Sequence, residues 1–397
     1  RRLFKQLPPE IGGDRNHKSP SVWRLFSSHP TQSPDSSVRQ NVCIHAQTGA
    51  AMDGSLFDTE TLPAGTRWPF FLEIDLSRGG DNKERILATT LYALQAWVDE
   101  YCWLGRSVAR GTGWFSLQNI QIAEADWEQW PNSAIDNIND NFSAIFKKKY
   151  SLAEYIKLHA HIQPDGDWIW KEYRVVLKVG SPADNAYGVD FLSVGGHAGD
   201  ALLLDIKADL IDKDKLLLPQ ANLNVDVSQN LVADQVFAYA RQDGQVMPYI
   251  PGSSIRGVLR HAAEWWANKQ GQSLDDLNQL FGVMGDKPQA AALLVSDAHL
   301  NNPEWQALLL KMHAEDEFAG GVYESALFDR LILTQAQFET RFVIEAKKEN
   351  IEALDKALQP AFELAKQGFI GLGGQTWRGL GHLQWDIKEK SDTEHTK

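Results

Sequence analysis

The ten-residue pattern Leu-Gly-x4-Arg-Gly-x-Gly occurs twice in the chain, from Leu104 to Gly113 and again from Leu372 to Gly381. A second pair of segments, Thr48 to Asp58 and Ala319 to Asp329, lies almost the same distance apart, and each member ends in Leu-Phe-Asp. A weaker echo sets Leu25-Phe26 beside Leu280-Phe281. Matches that recur in one order at one offset are the signature of a duplicated structural unit. The chain is therefore expected to hold two copies of one small fold.

The copies are not equally complete. Lys171 to Lys269 stand before Leu280-Phe281, whereas only Arg1 to Arg24 stand before Leu25-Phe26. The expectation is that the first unit is represented only by its C-terminal part. With 397 residues, two domains with real cores are within reach. The net charge of −13 argues against a non-specific nucleic-acid binder covered in basic residues. It leaves room for one basic groove, because binding follows the local field. Cys43 and Cys102 are the only cysteines, which suits a reducing cytosol and a cytoplasmic protein. No apolar run reaches the length of a membrane span, so no membrane partner is expected.

Periodicity supplies the elements. In the first unit, Val42 to Ile44 and Trp68 to Leu76 read as strands, Glu84 to Leu104 as a helix ending at the Gly loop, and Trp114 to Ile122 as a strand. The second unit repeats the order with strand Phe338 to Glu345, helix Asn350 to Gln367, the Gly loop, and strand His382 to Ile387. Its other half reads as strand Glu172 to Gly180, helix Ser253 to Lys269 and strand Ala291 to Ser296. Strand–helix–loop–strand is half of a split βαβ, ferredoxin-like unit. The polar stretch Glu124 to Asp167, with Lys147-Lys148-Lys149, reads as an irregular linker or insertion, and the charged end as a disordered tail.

Tyr249-Ile-Pro-Gly-Ser-Ser-Ile-Arg-Gly-Val-Leu-Arg260 is the sharpest functional candidate. Pro251-Gly252 forces a turn, and Ser253 or Ser254 is positioned to cap a helix that buries Ile255, Val258, Leu259, Ala262 and Trp266. Arg256 and Arg260 share another face, with Gly257 between them. Free amides, two hydroxyls and two arginines at one helix start make a phosphate site. The same spacing also suits a well-capped amphipathic helix with two solvated arginines. The Gly loops carry a similar ambiguity. Gly105, Arg106 and Arg110 in the first, and Gly373, Gly374 and Arg378 in the second, suit either a tight turn or the close approach of a polyanion. Retention of the Arg in both copies favours binding. Neither loop has the Gly-Lys-Ser/Thr of a P-loop.

These segments together resemble the RAMP superfamily of CRISPR-associated proteins: Ile250-Pro-Gly-Ser-Ser254, Leu280-Phe-Gly282, Asp297-Ala298 and the C-terminal Gly loop. The likeness is greatest to the backbone subunits of type III interference complexes. It implies an α+β chain of two ferredoxin-like (RRM-like) RAMP domains in tandem, the first incomplete at its N-terminus, a fusion like that of type III-D variants. The boundaries expected are 1–123 for the first domain, 124–167 for the linker, 168–388 for the second domain and 389–397 for the tail. Thumbs would lie between Leu300 and Glu324 and before Ala46.

The resemblance further implies RNA-guided antiviral defence. CRISPR RNA, target RNA, other RAMP subunits and the large subunit of the effector complex would be the partners. A target-cutting Asp is expected upstream of Ile250. Asp234 matches best, with Asp226 and Asp243 as competitors, and a divalent metal ion such as Mg²⁺ would serve as cofactor. A solvated loop carboxylate is the plain reading of the same residue. Alternatives for the chain are a purely structural guide-binding backbone and a guide-processing endoribonuclease, for which His382 after Gly381 is the one hint. His159-x-His161 with Asp165 and Asp167 reads as surface polarity, and His313 as a thumb residue.

Overall fold

The computed structural model describes residue 11 and residues 21–31, 37–45, 51–125, 146–159, 167–180, 191–197, 215–217, 233–242, 245–283, 288–315, 318 and 321–390. The chain divides into two compact units. One comprises residues 1–29, 68–106 and 113–166, and the other residues 30–67, 107–112 and 167–397. The division does not follow the repeat. A hairpin and the tip of the first Gly loop cluster with the larger, C-terminal unit.

The larger unit contains β1 (Ser37–Asn41) and β2 (Phe57–Thr61), then β3 (Trp168–Lys178), β4 (Gly195–His197), β5 (Leu216–Leu217), β6 (Gln235–Phe237), β7 (Tyr239–Gln242) and β8 (Gln245–Ile250). Helices α1 (Gly252–Lys269) and α2 (Asp275–Phe281) follow. Next come β9 (Leu293–Val295), β10 (Ala298–Leu300), β11 (Gln306–Glu315), β12 (Val322–Thr334) and β13 (Gln337–Lys347). Helix α3 (Ile351–Lys366) and β14 (Gln384–Glu389) end the described chain.

The main sheet is antiparallel and runs β7-β8-β10-β13-β3-β14, with β9 on the same edge of β13 as β10. Its centre is β13 against β3, paired from Gln337 with Lys178 to Lys347 with Trp168. Phe338, Thr340, Phe342 and Ile344 alternate along β13 and are all buried. Helix α3 returns Ile351, Leu354, Leu358, Ala361, Phe362 and Ala365 to the core. Helix α1 buries Ile255, Leu259, Ala263 and Ala267, one full stripe at four-residue spacing. Val258 and Ala262 flank that stripe half-buried, and Trp266 is likewise only half-buried, short of the burial expected of it. A second sheet, β4-β6-β12-β11-β5, is built on the long β11–β12 hairpin, where the thumb of this unit was expected.

The smaller unit pairs strand Trp23–Leu25 with Leu72–Ile74 and follows it with the helix Lys83–Val98. Val42 to Ile44, expected as a strand, lies just after β1 in the larger unit, and the strands expected over Trp68 to Leu76 and Trp114 to Ile122 are found as Leu72–Ile74 and Gln121–Ala125. Residues 146–159, expected to be irregular, form strand Phe146–Ser151 and helix Leu152–His159. That strand pairs with Gln121–Ala125, and the helix adds Leu152 and Tyr155 to the packing of Leu91 and Leu94. Three consecutive lysines hid the strand, because its partner and not its composition makes it one.

The repeat is partly visible in the backbone. Both Gly loops hold a short 3₁₀ turn, Val108–Arg110 and Thr376–Arg378, flanked by left-handed residues at Ser107 and Gly111 and at Gln375 and Gly379. The Leu104 amide donates to Gly113 at 2.9 Å, and the Leu372 amide to Gly381 at 2.8 Å. Both Leu-Phe-Asp segments run into the second strand of a hairpin, β2 and β12. The Leu-Phe echo fails: Leu280 and Phe281 are buried at the end of α2, whereas Leu25 and Phe26 are exposed. Gly381 has φ +76°, and a Cβ there would overlap the carbonyl of Leu372. Gly381→Ala should cost about 1–2 kcal/mol from backbone strain alone, with the overlap added. Gly257→Ala, mid-helix with open space around it, should gain about 0.5–1 kcal/mol. Thermal melts of the two variants should move in opposite directions.

Candidate nucleic-acid interface

The strand edge that faces α1 is broken between β9 and β10 at Ser296-Asp297. Ser296 Oγ accepts from the Arg341 amide at 2.9 Å, which holds the break open, and Asp297 turns beneath the start of α1. A break of this kind re-aims one side chain. Asp297 Oδ1 accepts from the Gly252 amide at 2.8 Å. The helix is thus capped from a distant strand, and neither Ser253 nor Ser254 makes the cap bond expected of it. Both serines are half-buried in the first turn.

Asp297 also forms a buried ion pair with Arg39 of β1, and Arg39 Nε donates to Tyr249 Oη at 3.2 Å. Burial pushes the Asp297 carboxyl above its ordinary range, against the pull of Arg39 and the Gly252 amide. Burial pushes neighbouring His299 down. Gly111, in the first Gly loop, lies so close that a Cβ would overlap this carboxylate and stand 2.9 Å from the Asp297 nitrogen. The positive end of α1 is therefore satisfied internally.

What remains for an anion is the arginine face. Arg256 donates through Nη2 to the Phe281 carbonyl, and its guanidinium lies 5.4 Å from the Phe281 ring centre. Its Nε has no acceptor among the described residues. Burial, then the nearby charges of Arg110 and Arg260, lower its pKa to about 10. Arg260 pairs with Glu264 at 2.7 Å, one turn further along the helix. Arg110 and Arg260 thus stand near Arg256, Glu264 pairs with Arg260, and Arg110 is exposed. Excess positive charge of this kind raises the local field that an anion would meet. The solvated-arginine reading fails for Arg256, which is half-buried and packed on Phe281.

The second loop spends its close approach on the protein itself. The Gly374 amide donates to the Ser193 carbonyl at 2.7 Å, the Gly381 amide donates to Phe191 at 2.7 Å, and a Cβ on Gly373 would overlap Ser193. Arg378 stays exposed, 5.8 Å from the ring centre of its exposed neighbour Trp377. Gly105 and Arg106 occupy exposed positions of the first loop. Asp234 is exposed at the start of β6, and its Oδ2 accepts from the Asp329 amide of β12 at 2.8 Å. Asp226, Asp243, His161 and Asp165 lie outside the described residues. His382 Nε2 lies 3.1 Å from the Thr376 carbonyl within its own loop. His313 is exposed on β11, and His159 stands 3.8 Å from Glu124. Among the described residues no group of three or more His, Cys, Asp or Glu side chains is placed to hold a metal ion, and Asp234 offers a single exposed carboxylate.

A family model matches part of this chain. Residues 226–384 match the RAMP superfamily. That superfamily is associated with CRISPR-related RNA-binding proteins. No curated protein matches the chain. The RAMP match takes in Asp234, α1, the β11–β12 hairpin and the second Gly loop, while Arg39 and Arg110 precede it. No described helix is long and apolar enough to cross a membrane.

Arg39 was absent from the sequence reading of function, and Asp297 entered it only as part of the Asp297-Ala298 segment, with no partner assigned. Their separation of 258 residues leaves no local signal, and only the polar pair Ser296-Asp297 after an apolar run hints at a break. Removing either partner strands the other charge in the interior. Arg39→Ala and Asp297→Ala should each cost about 3–5 kcal/mol, and the double variant should fall short of their sum by on the order of 1–3 kcal/mol. A thermodynamic double-mutant cycle in urea checks both numbers.

Proposed function

We propose that the chain is an RNA-binding backbone subunit of a type III CRISPR effector complex, with tandem ferredoxin-like RAMP domains, that holds CRISPR RNA and cuts the target RNA paired with it. The observation that carries this reading is the gathering of Arg110 and Arg260 beside half-buried Arg256, with Glu264 paired to Arg260. In the main sheet, β3, β9, β13 and β14 stand in the order β9-β13-β3-β14, with α1 and α3 as crossovers. That is the strand order of a ferredoxin-like domain. The duplicated Gly-loop geometry supports the tandem reading.

Each residue then has a physical task. Arg110 and Arg256 each hold a backbone phosphate, and Arg260 adds field while tied to Glu264. The β11–β12 hairpin is the thumb. Asp234, steadied by the Asp329 amide, offers its remaining oxygen at the reacting phosphate. A divalent ion such as Mg²⁺, held by Asp234, would supply neutralisation of developing charge there. Other RAMP subunits and the large subunit complete the complex.

Two measurements test this. Arg110→Ala with Arg256→Ala should flatten the dependence of log K on log salt for single-stranded RNA by about 1.4, at roughly 0.7 per phosphate contact. An unchanged slope removes the phosphate role. Asp234→Ala should slow guide-directed target cleavage by about 10²–10⁴-fold while leaving guide binding near wild type, equivalent to about 3–5 kcal/mol in barrier. Full cutting by Asp234→Ala would leave a structural backbone, with cleavage placed elsewhere.

A further inference from the structure

Arg330, on β12, is a buried cation with no counter-charge among the described residues. It is 8% exposed, and Nη1 donates to Ser193 Oγ. Nε has no acceptor among the described residues, and no described carboxylate pairs with it. The neighbouring charge is a second cation, Arg378 of the Gly loop. Both burial and Arg378 disfavour the charged guanidinium. Burying one ion without its partner costs several kcal/mol, so a fold that keeps such an arginine has a use for its charge.

The cover over this guanidinium is a glycine. Gly374 is exposed, and a Cβ there would stand 3.1 Å from Arg330 Nη1. The Gly374 amide is spent on the Ser193 carbonyl, which fixes the loop while leaving the guanidinium uncovered at that point. Ser193 is itself held, because the adjacent Leu192 exchanges backbone hydrogen bonds with Leu333 at 2.8 and 2.9 Å. The parallel with the first loop is close. There Arg110 stands beside a packed arginine whose Nε lacks an acceptor, Arg256, and here Arg378 stands beside Arg330.

We propose that Arg330, Ser193 and Arg378 form an anion seat beneath Gly374 that takes one phosphodiester of a bound RNA strand. The seat itself rests on the geometry; only the identity of its ligand rests on the RNA reading above. Arg330 is the residue that discriminates, because Arg378 alone is an ordinary exposed cation. Arg330→Met keeps the length and packing of the side chain and removes the charge.

The experiment uses the full chain, with inorganic phosphate and a single-stranded oligoribonucleotide as probes. Phosphate should raise the melting temperature of the wild type. In Arg330→Met that rise should shrink, the melting temperature without phosphate should hold or increase, and RNA affinity should fall about tenfold, the effect of one charged hydrogen bond. Gly374→Ala, which covers the guanidinium without removing it, should show the same two losses and serves alone if Arg330→Met does not fold. An Arg330→Met protein that melts lower yet keeps its phosphate response and RNA affinity makes Arg330 a structural residue and overturns the seat. Phosphate responses that follow these variants in a protein that binds no RNA would keep the seat and overturn the RNA reading. RNA affinity unchanged in both variants would do the reverse.

Discussion

The larger unit depends on one buried carboxylate. Asp297 accepts the first amide of α1, pairs with Arg39 from a hairpin far away in sequence, and lies against Gly111 where any side chain would collide with it. Each contact alone is ordinary. Together they bring the start of the arginine-bearing helix, the hairpin β1–β2 and the tip of the first Gly loop to one point. A buried carboxylate is costly to desolvate, and it persists here because an amide and a guanidinium both compensate it. Without it the positive end of α1 and the charge of Arg39 would both lie unsatisfied in the interior.

This arrangement changes what the helix start offers a ligand. A free helix N-terminus binds phosphate through its amides. Here Asp297 occupies that role, and the attraction for an anion moves sideways to Arg256, Arg260 and Arg110. The second Gly loop follows the same logic. Gly373 and Gly374 admit Ser193 of the protein's own chain, and the charge available nearby belongs to Arg378 and Arg330. In both loops the missing side chains serve packing and the arginines serve the surface field. The glycines and arginines of a single short pattern therefore have different tasks.

The sequence made the long periodic elements legible. β13 carries alternation interrupted at buried Val343, α3 carries a helical stripe, and their extents match expectation to within a few residues, because burial dictates both patterns. Strand Phe146–Ser151 was not legible, since its three consecutive lysines carry no strand pattern and only the pairing with Gln121–Ala125 reveals it. For the site, Arg256 and Arg260 could be picked out because Pro251-Gly252 marks a helix start and four-residue spacing aligns them. Their burial against Phe281 could not, and neither could the true cap. Ser253 and Ser254 satisfy every local rule for capping, yet the amide of Gly252 lies closer to a carboxylate delivered by the sheet. Local rules rank local donors, and tertiary structure supplied a better one.

The central claim is that a basic seat on an acidic protein holds an RNA strand. Ultraviolet cross-linking of the purified protein to its co-purifying nucleic acid, with the adducts located by mass spectrometry, tests it most directly. The account predicts ribonuclease-sensitive adducts within residues 107–112 and 249–260. Adducts confined to other surfaces, adducts to DNA, or a protein that carries no nucleic acid and forms none with added RNA would contradict it.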